Sequence, residues 1–448
     1  MKKSSTEQEV FVEEEPFYGL EEKPPLGETL LLGLQHMLAM FVGIITPPLI
    51  IAGVAGLNAA ETGFFVSMAL MVSGVTTYVQ VTRVGPVGSG LLAVHGTSFT
   101  FVPMAIAAAS EGGLPLVIGM GLATSPVEII LSRFIRQTKK IFPPVVTGTV
   151  VMLIGLGLME VGITDFGGGA TAQNIGAPQN LILGLFVLTI IIIANRFGKG
   201  LIKVGAIAIG LIVGYLVSIP LGLIDLTEVA NAGWVTIPRP FKYGISFQWS
   251  HLLPWVMAYI ITTVESIGDL TAVAEVSGED VTSEKHIERL SGGIMADGVG
   301  SAIAAVFNSL PNSTFSQNIG VIQLTKVGSK VVGIAVAGIL FLLGLVPKIG
   351  ALVSVMPNPV LGGATIALFG MVATSGMKIV TKGGLTDRKI FILSISLSFG
   401  LGVTFRPDVV AQLPELISTV LSSGITVGAI IAIGLNLLLP HKNEKKIC

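Results

Sequence analysis

Stretches of about twenty apolar residues recur along nearly the whole chain, cut apart by Gly, Pro and short charged runs, and a helix crossing a bilayer needs about that many. Charge agrees with this reading. Asp, Glu, Lys and Arg make up 12% of the 448 residues, where soluble domains carry about a quarter. The chain is therefore read as an all-α integral membrane protein whose first partner is the lipid bilayer. A net charge of −1 gives no basis for binding nucleic acid. The single cysteine, Cys448, excludes an internal disulfide framework. The opening stretch, MKKSSTEQEVFVEEEPFYGLEEKPP, has no apolar core of the kind a cleaved signal peptide carries. Residues 1–26 are expected to form a flexible, solvated cytoplasmic tail.

The apolar runs predict fourteen spans, at 28–51, 61–82, 91–110, 115–134, 143–161, 179–196 and 202–221, then 251–272, 287–306, 308–325, 330–347, 358–378, 389–405 and 413–439. Cytoplasmic loops are enriched in Lys and Arg, so basic residues test the topology. With the N-terminus inside, the inner segments include RFIRQTKK (133–140), RFGKGLIK (196–203), KHIER (285–289), KVGSK (326–330), KIVTKGGLTDRK (378–389) and HKNEKK (441–446). Together with Lys2, Lys3, Lys23 and Arg83 they hold 22 of the 26 Lys and Arg, and only Arg239, Lys242, Lys348 and Arg406 fall outside. This predicts a multi-pass protein of the plasma membrane with both termini cytoplasmic.

The two halves also resemble each other. FPPVVTGTVVMLIGLGL (142–158) aligns with MPNPVLGGATIALFGMV (356–372), placing Pro143 on Pro357 and Gly148 on Gly362 at an offset of 214. HGTSFTF (95–101) aligns with PNSTFSQ (311–317), placing Ser98 on Thr314 and Phe99 on Phe315 at an offset of 216. Short apolar segments also match by chance, but two offsets so close suggest a duplicated unit. A unit of seven spans is odd, so the second copy would run inverted, as in secondary transporters that bind solute where the repeats meet.

The tetrapeptide QNIG occurs twice, at Gln173–Gly176 and Gln317–Gly320. The first copy sits among the glycines of TDFGGGATAQNIGAPQN, where an exposed loop is expected. The second sits in VFNSLPNSTFSQNIGVIQLTK, whose Asn308, Pro311, Asn312, Ser313 and Thr314 are too dense for a continuous spanning helix. Such a break suits a short extended piece followed by a capped half-helix. LLAVHGTSFTFVPMAIAAA has the same pattern in the first half. Broken backbone at membrane depth must be buried in protein or line a cavity. Two corresponding breaks can aim half-helix N-termini at a polar solute, and Gln317 and Asn318 could read the donor and acceptor edge of a heterocycle. Polar residues gluing helices together are the alternative.

Gln317-Asn318-Ile319-Gly320 through Thr325-Lys326 resembles the signature of the nucleobase–ascorbate transporters, the nucleobase:cation symporter-2 family. GLQH at 33–36 is similar to that family's Gln-His pair in span one. VESIGDLTA (264–272) and MADGVGS (295–301) are similar to its acidic motifs in spans eight and nine. The resemblance implies fourteen segments in a 7+7 inverted repeat, with short antiparallel strands breaking segments 3 and 10 and substrate between them. It implies a core domain of 27–140 and 246–350 and a gate domain of 141–245 and 351–440, between tails 1–26 and 441–448. It also implies a proton-coupled symporter of a nucleobase, homodimeric in many members. Gln at position 317 and Asp269 in ESIGD resemble the xanthine and uric acid permeases of bacteria, with uracil, another nucleobase or a planar anion as the alternative. His95 departs from the pattern, standing where relatives commonly carry Gln.

Three acidic residues carry the chemistry. Glu265 lies well inside span eight, and an ionisable group at that depth is a functional candidate by default. Its carboxylate could accept hydrogen bonds from the N–H groups of a purinedione, and the resemblance assigns it to substrate binding. Ser98, Phe99, Phe315 and Gln317, in the two breaks, complete the candidate substrate set. Asp269, one turn beyond Glu265, either tunes it or marks the helix end. Asp297 sits among small residues that permit close helix approach, which suits a proton carrier. The resemblance gives it coupling and site organisation. His36, either structural or bonded across to such a carboxylate, and Asn318 join it. Arg289 is expected to be a cytoplasmic anchor. There is no GxxxxGK[ST] loop and no HExxH motif, so neither an ATP motor, a metal site, a cofactor nor an enzyme is expected.

Overall fold

The structure is a computed structural model and describes residues 18–135, 143–170 and 172–439. The basic runs at 136–140 and 441–446, and Lys2 and Lys3, lie outside the described residues.

The chain opens with two long helices, α1 (Leu26–Val54) and α2 (Ala59–Thr82), followed by strand β1 (His95–Thr97) and helix α3 (Val102–Thr124). Next come α4 (Pro144–Gly157), α5 (Met159–Phe166), α6 (Pro178–Phe197) and α7 (Ala206–Ser218). The second half has α8 (Trp249–Val276), α9 (Glu284–Val306), strand β2 (Asn312–Thr314) and α10 (Gln317–Thr325). It ends with α11 (Lys330–Leu345), α12 (Pro347–Ser354), α13 (Asn358–Thr381), α14 (Asp387–Phe405) and α15 (Gly424–Leu438).

Local chemistry sets several of these boundaries. The side chains of Asn58, Ser283 and Thr386 accept backbone N–H bonds from Glu61, His286 and Lys389 and so cap α2, α9 and α14. Gly113 adopts φ 66°, ψ −166° inside α3 and divides it where two spans were expected to meet. Pro347 has no N–H to continue α11, and α12 departs from it at 77°.

Among the described residues eight helices are long and apolar enough to cross a membrane, or nine with the bent α11–α12 pair counted as one. The predicted spans that are not single long helices have identifiable reasons. Those at 91–110 and 308–325 contain the strands. Gly205 cuts off a 13-residue α7, and α15 is a 15-residue helix separated from the short helix Glu415–Leu421. Small residues let the long helices pack backbone to backbone. A side chain at Gly74 of α2 would lie 2.6 Å from the Phe341 nitrogen of α11, and one at Gly148 of α4 would lie 2.5 Å from the Gly376 carbonyl of α13.

The described part of the N-terminal tail is docked, which corrects the expectation of a solvated segment. Tyr18 N–H bonds the Lys326 carbonyl at 3.3 Å, and Gly328 N–H bonds the Tyr18 carbonyl at 2.9 Å. Leu20 is buried in the cluster that holds Leu32, Leu92 and Ile322. The cause is backbone pairing with a segment some 300 residues away.

Candidate functional site

Strands β1 and β2 are wholly buried and pair antiparallel, with His95 opposite Thr314, Gly96 opposite Ser313 and Thr97 opposite Asn312. Ser98 N–H to the Pro311 carbonyl at 2.9 Å and Phe315 N–H to the Val94 carbonyl at 3.0 Å extend the ladder. This pairing, plus side chains, satisfies the broken backbone. His95 N–H donates to Thr77 Oγ1 at 2.9 Å, Asn312 N–H donates to Ser301 Oγ at 3.1 Å, and the Asn312 amide donates to Thr76 Oγ1 at 3.0 Å. Gly96 leaves room for neighbours, because a Cβ there would lie 2.7 Å from both Ile44 and the Phe315 ring.

A helix starts just beyond each strand, through the single turn Phe99–Phe101 into α3 and at Gln317 into α10. Free backbone N–H groups and the positive dipole end are found at such starts. Helix α8 is tied to both. Thr100 Oγ1 donates to Glu265 Oε2 at 3.3 Å. One turn on, Ser316 Oγ donates to Asp269, 2.9 and 2.8 Å from its two oxygens. Glu265 is half-buried and lines a narrow apolar cleft with Ile261 of α8, Thr147 and Val150 of α4, and Ala429 and Ile433 of α15.

The remaining predicted residues distribute around this frame. The buried Ser98 hydroxyl has no partner among the described residues. Phe99 packs edge-on against Phe369 of α13, with ring centroids 5.6 Å apart at 88°. Gln317 is half-buried in the first turn of α10. Phe315 fills the space beside Gly43 and Gly96, a packing position against α1. Asp297 on α9 is completely buried; His95 Nε2 lies 2.8 Å from its Oδ1 and the Thr314 hydroxyl 3.4 Å. The His95 contact is a charge-pair distance rather than an aligned hydrogen bond, because the ring's N–H direction is turned off the oxygen.

Three readings change on this geometry. The carboxylate's imidazole is His95, on the strand beside it, and not His36. His36 Nδ1 instead lies 2.8 Å from Asn318 Oδ1, and the Asn318 amide donates to the Leu92 carbonyl. Arg289 is buried and donates to the Ser89 and Gly90 carbonyls at 3.0 and 3.1 Å, so it holds the turn before β1 rather than anchoring the surface. Glu128, in the short helix Pro126–Leu131, is a further fully buried carboxyl and lies outside the four sequence motifs. The first QNIG, by contrast, forms an exposed turn as expected.

A family model described as a permease family matches residues 27–409. The chain belongs to that family, the nucleobase–ascorbate transporters. The permease is 42% identical over 443 residues to xanthine permease XanP of Escherichia coli strain K12, covering 96% of each chain. It is 40% identical to xanthine permease XanQ of the same strain, covering 94% of this chain and 93% of XanQ. It is 37% identical to the nucleobase transporter PlUacP of Paenibacillus larvae, covering 94% and 96%. In fold it is similar to the transmembrane domain of the cyanobacterial bicarbonate transporter BicA, with a TM-score of 0.57 at 15% identity over 94% and 99% of the two chains. The inward-facing murine anion transporter Slc26a9 gives 0.61 at 12% identity over 93% and 69%. The permease is thus a multi-pass membrane transporter and not an enzyme.

Proposed function

We propose that this permease imports a purine nucleobase, xanthine or uric acid or both, across the plasma membrane by proton symport. The observation that carries this reading is the pair of ties from α8, Glu265 to the start of α3 and Asp269 to the start of α10. These ties bring carboxylates of α8 to both half-helix starts, with Gln317 the first residue of α10, a donor and acceptor set of the kind a planar base with several N–H and C=O groups requires. Glu265 accepts from the purinedione N–H groups, Gln317 reads an adjacent donor–acceptor edge, the Ser98 hydroxyl supplies a further bond, and Phe99 covers the ring. Phe315 holds Gly96 and the strand in place. Asp297, with His95 against it, takes up the proton, while Asp269–Ser316 and His36–Asn318 hold the start of α10 against α8 and α1. Relatives named for xanthine, at 40% and 42% identity, favour the purine. PlUacP, named more broadly, keeps uracil or another nucleobase as the second reading.

Transport follows if the core domain (27–140 and 246–350) moves against the gate domain (141–245 and 351–440) along the apolar cleft beside Glu265. Each half of the chain runs through two long helices, a three-residue strand, a half-helix and further helices in the same order, which supports a fourteen-segment inverted repeat. Both termini then lie in the cytoplasm, and a homodimer is the assembly. The test separates binding from coupling. Glu265→Gln is expected to abolish thermal stabilisation of the purified permease by xanthine. Asp297→Asn, which mimics a protonated carboxyl, is expected to bind xanthine without concentrating it against a gradient. Normal binding by Glu265→Gln removes that residue from the substrate site, and full accumulation by Asp297→Asn removes that one from coupling.

A further inference from the structure

One buried carboxyl stands behind this site with no part in the scheme above. Glu128 is inaccessible to solvent; its Oε1 accepts the Thr262 hydroxyl at 2.6 Å, and its Oε2 has no partner among the described residues. Thr262 lies three residues before Glu265 on α8, and so on nearly the same face of that helix. Helix α9 presses from the other side, where a side chain at Gly298, next to Asp297, would lie 3.0 Å from both the Ile129 nitrogen and the Ser125 carbonyl. The titratable groups around Glu128 are Glu265 and Tyr259 of α8 and Asp297 of α9, with His95 against Asp297 and Asp269 of α8 close to both Glu265 and Asp297. Like charges placed together away from water repel strongly, so a change of charge on one of these carboxyls is felt by the others.

We propose that Glu128 is a positioning residue for the coupled proton, setting when Asp297 takes up and gives up its proton and linking that change through Thr262 to the α8 face that carries Glu265. The bond to Thr262 gives the link a direct path, because any change of charge on Glu128 alters the hydroxyl it holds. Burial without a cation has no evident structural benefit, since an apolar side chain would fill the same space at less cost.

The proposal rests on proton symport, so wild-type uptake of radiolabelled xanthine is measured first, with and without a protonophore, across outside pH 5 to 8. E128Q keeps the shape and the acceptor for Thr262 but removes the charge. With that neighbouring negative charge gone, half-maximal uptake is expected at a pH about one unit lower than in the wild type. The KM for xanthine at pH 5 should stay within about twofold, because Glu128 does not touch substrate. T262V leaves the carboxyl and withdraws its donor, which disfavours the charged form, and is expected to move the profile in the same direction. It decides the matter if E128Q does not reach the membrane folded. Wild-type pH profiles in these variants, with wild-type uptake proton-driven, overturn the role of Glu128 and leave the proposed function standing. Wild-type uptake indifferent to the protonophore overturns both.

Discussion

Gln317 and Gln173 open the same tetrapeptide, and their surroundings predict opposite consequences for mutation. Gln317 sits half-buried in the first turn of α10 beside the strand pair, whereas Gln173 is exposed in a turn. Gln317→Ala is expected to raise the apparent KM for xanthine at least tenfold in uptake assays, where tenfold is a loss of about 1.4 kcal/mol. Gln173→Ala should leave it unchanged, and equal effects at both positions would move the site off α10. His95 offers a second contrast. His95→Ala leaves the buried Asp297 without its nearest side-chain nitrogen, and proton-driven accumulation is expected to fall at least tenfold. His95→Gln, whose amide can donate to the same oxygen, should retain most of it. At this scale the acidic residues of α8 and α9 were legible, since an ionisable group inside an apolar run is costly unless it has a purpose. The same rule applies to Glu128, yet Arg133 follows five residues later and makes it look like part of the charged cytoplasmic end. The partner of His36 was not legible, because Asn318 lies 282 residues away.

Among the elements, the strand pair is the most exacting. Gly96 has no space for a methyl group, with the Ile44 side chain and the Phe315 ring both 2.7 Å from where it would sit. Gly96→Ala must therefore displace β1 or the ring, and overpacking of this kind costs about 1–3 kcal/mol. The expected outcome is a lower melting temperature of the purified permease together with weakened xanthine binding. Gly176→Ala in the exposed turn, where nothing lies within 4 Å, provides the comparison for binding, which it should not change. An unaltered Gly96→Ala protein would mean that the strand crossing is not tightly packed. Long helices were legible to within a few residues of their ends, because apolar length and caps are local properties: the spans expected at 179–196 and 389–405 are helices Pro178–Phe197 and Asp387–Phe405. Breaks near Pro311 and in HGTSF were legible as interruptions. Their pairing register was not, nor was the docking of Tyr18 and Leu20, since both depend on backbone partners far along the chain.

The whole molecule is a membrane transporter in which the proposed site lies where two strands cross, with Glu265 on α8 proposed for substrate and Asp297 on α9 proposed for coupling. The central proposal is that this site takes a purine base and that a proton drives it inward. Radiolabelled xanthine uptake into cells expressing the permease tests this most directly, measured with and without a protonophore and in competition with unlabelled xanthine, uric acid and uracil. Saturable uptake that collapses with the protonophore, displaced by xanthine or uric acid at concentrations at least tenfold below those of uracil, is the predicted result. Uptake that survives the protonophore, or that uracil displaces more readily than xanthine does, would contradict it.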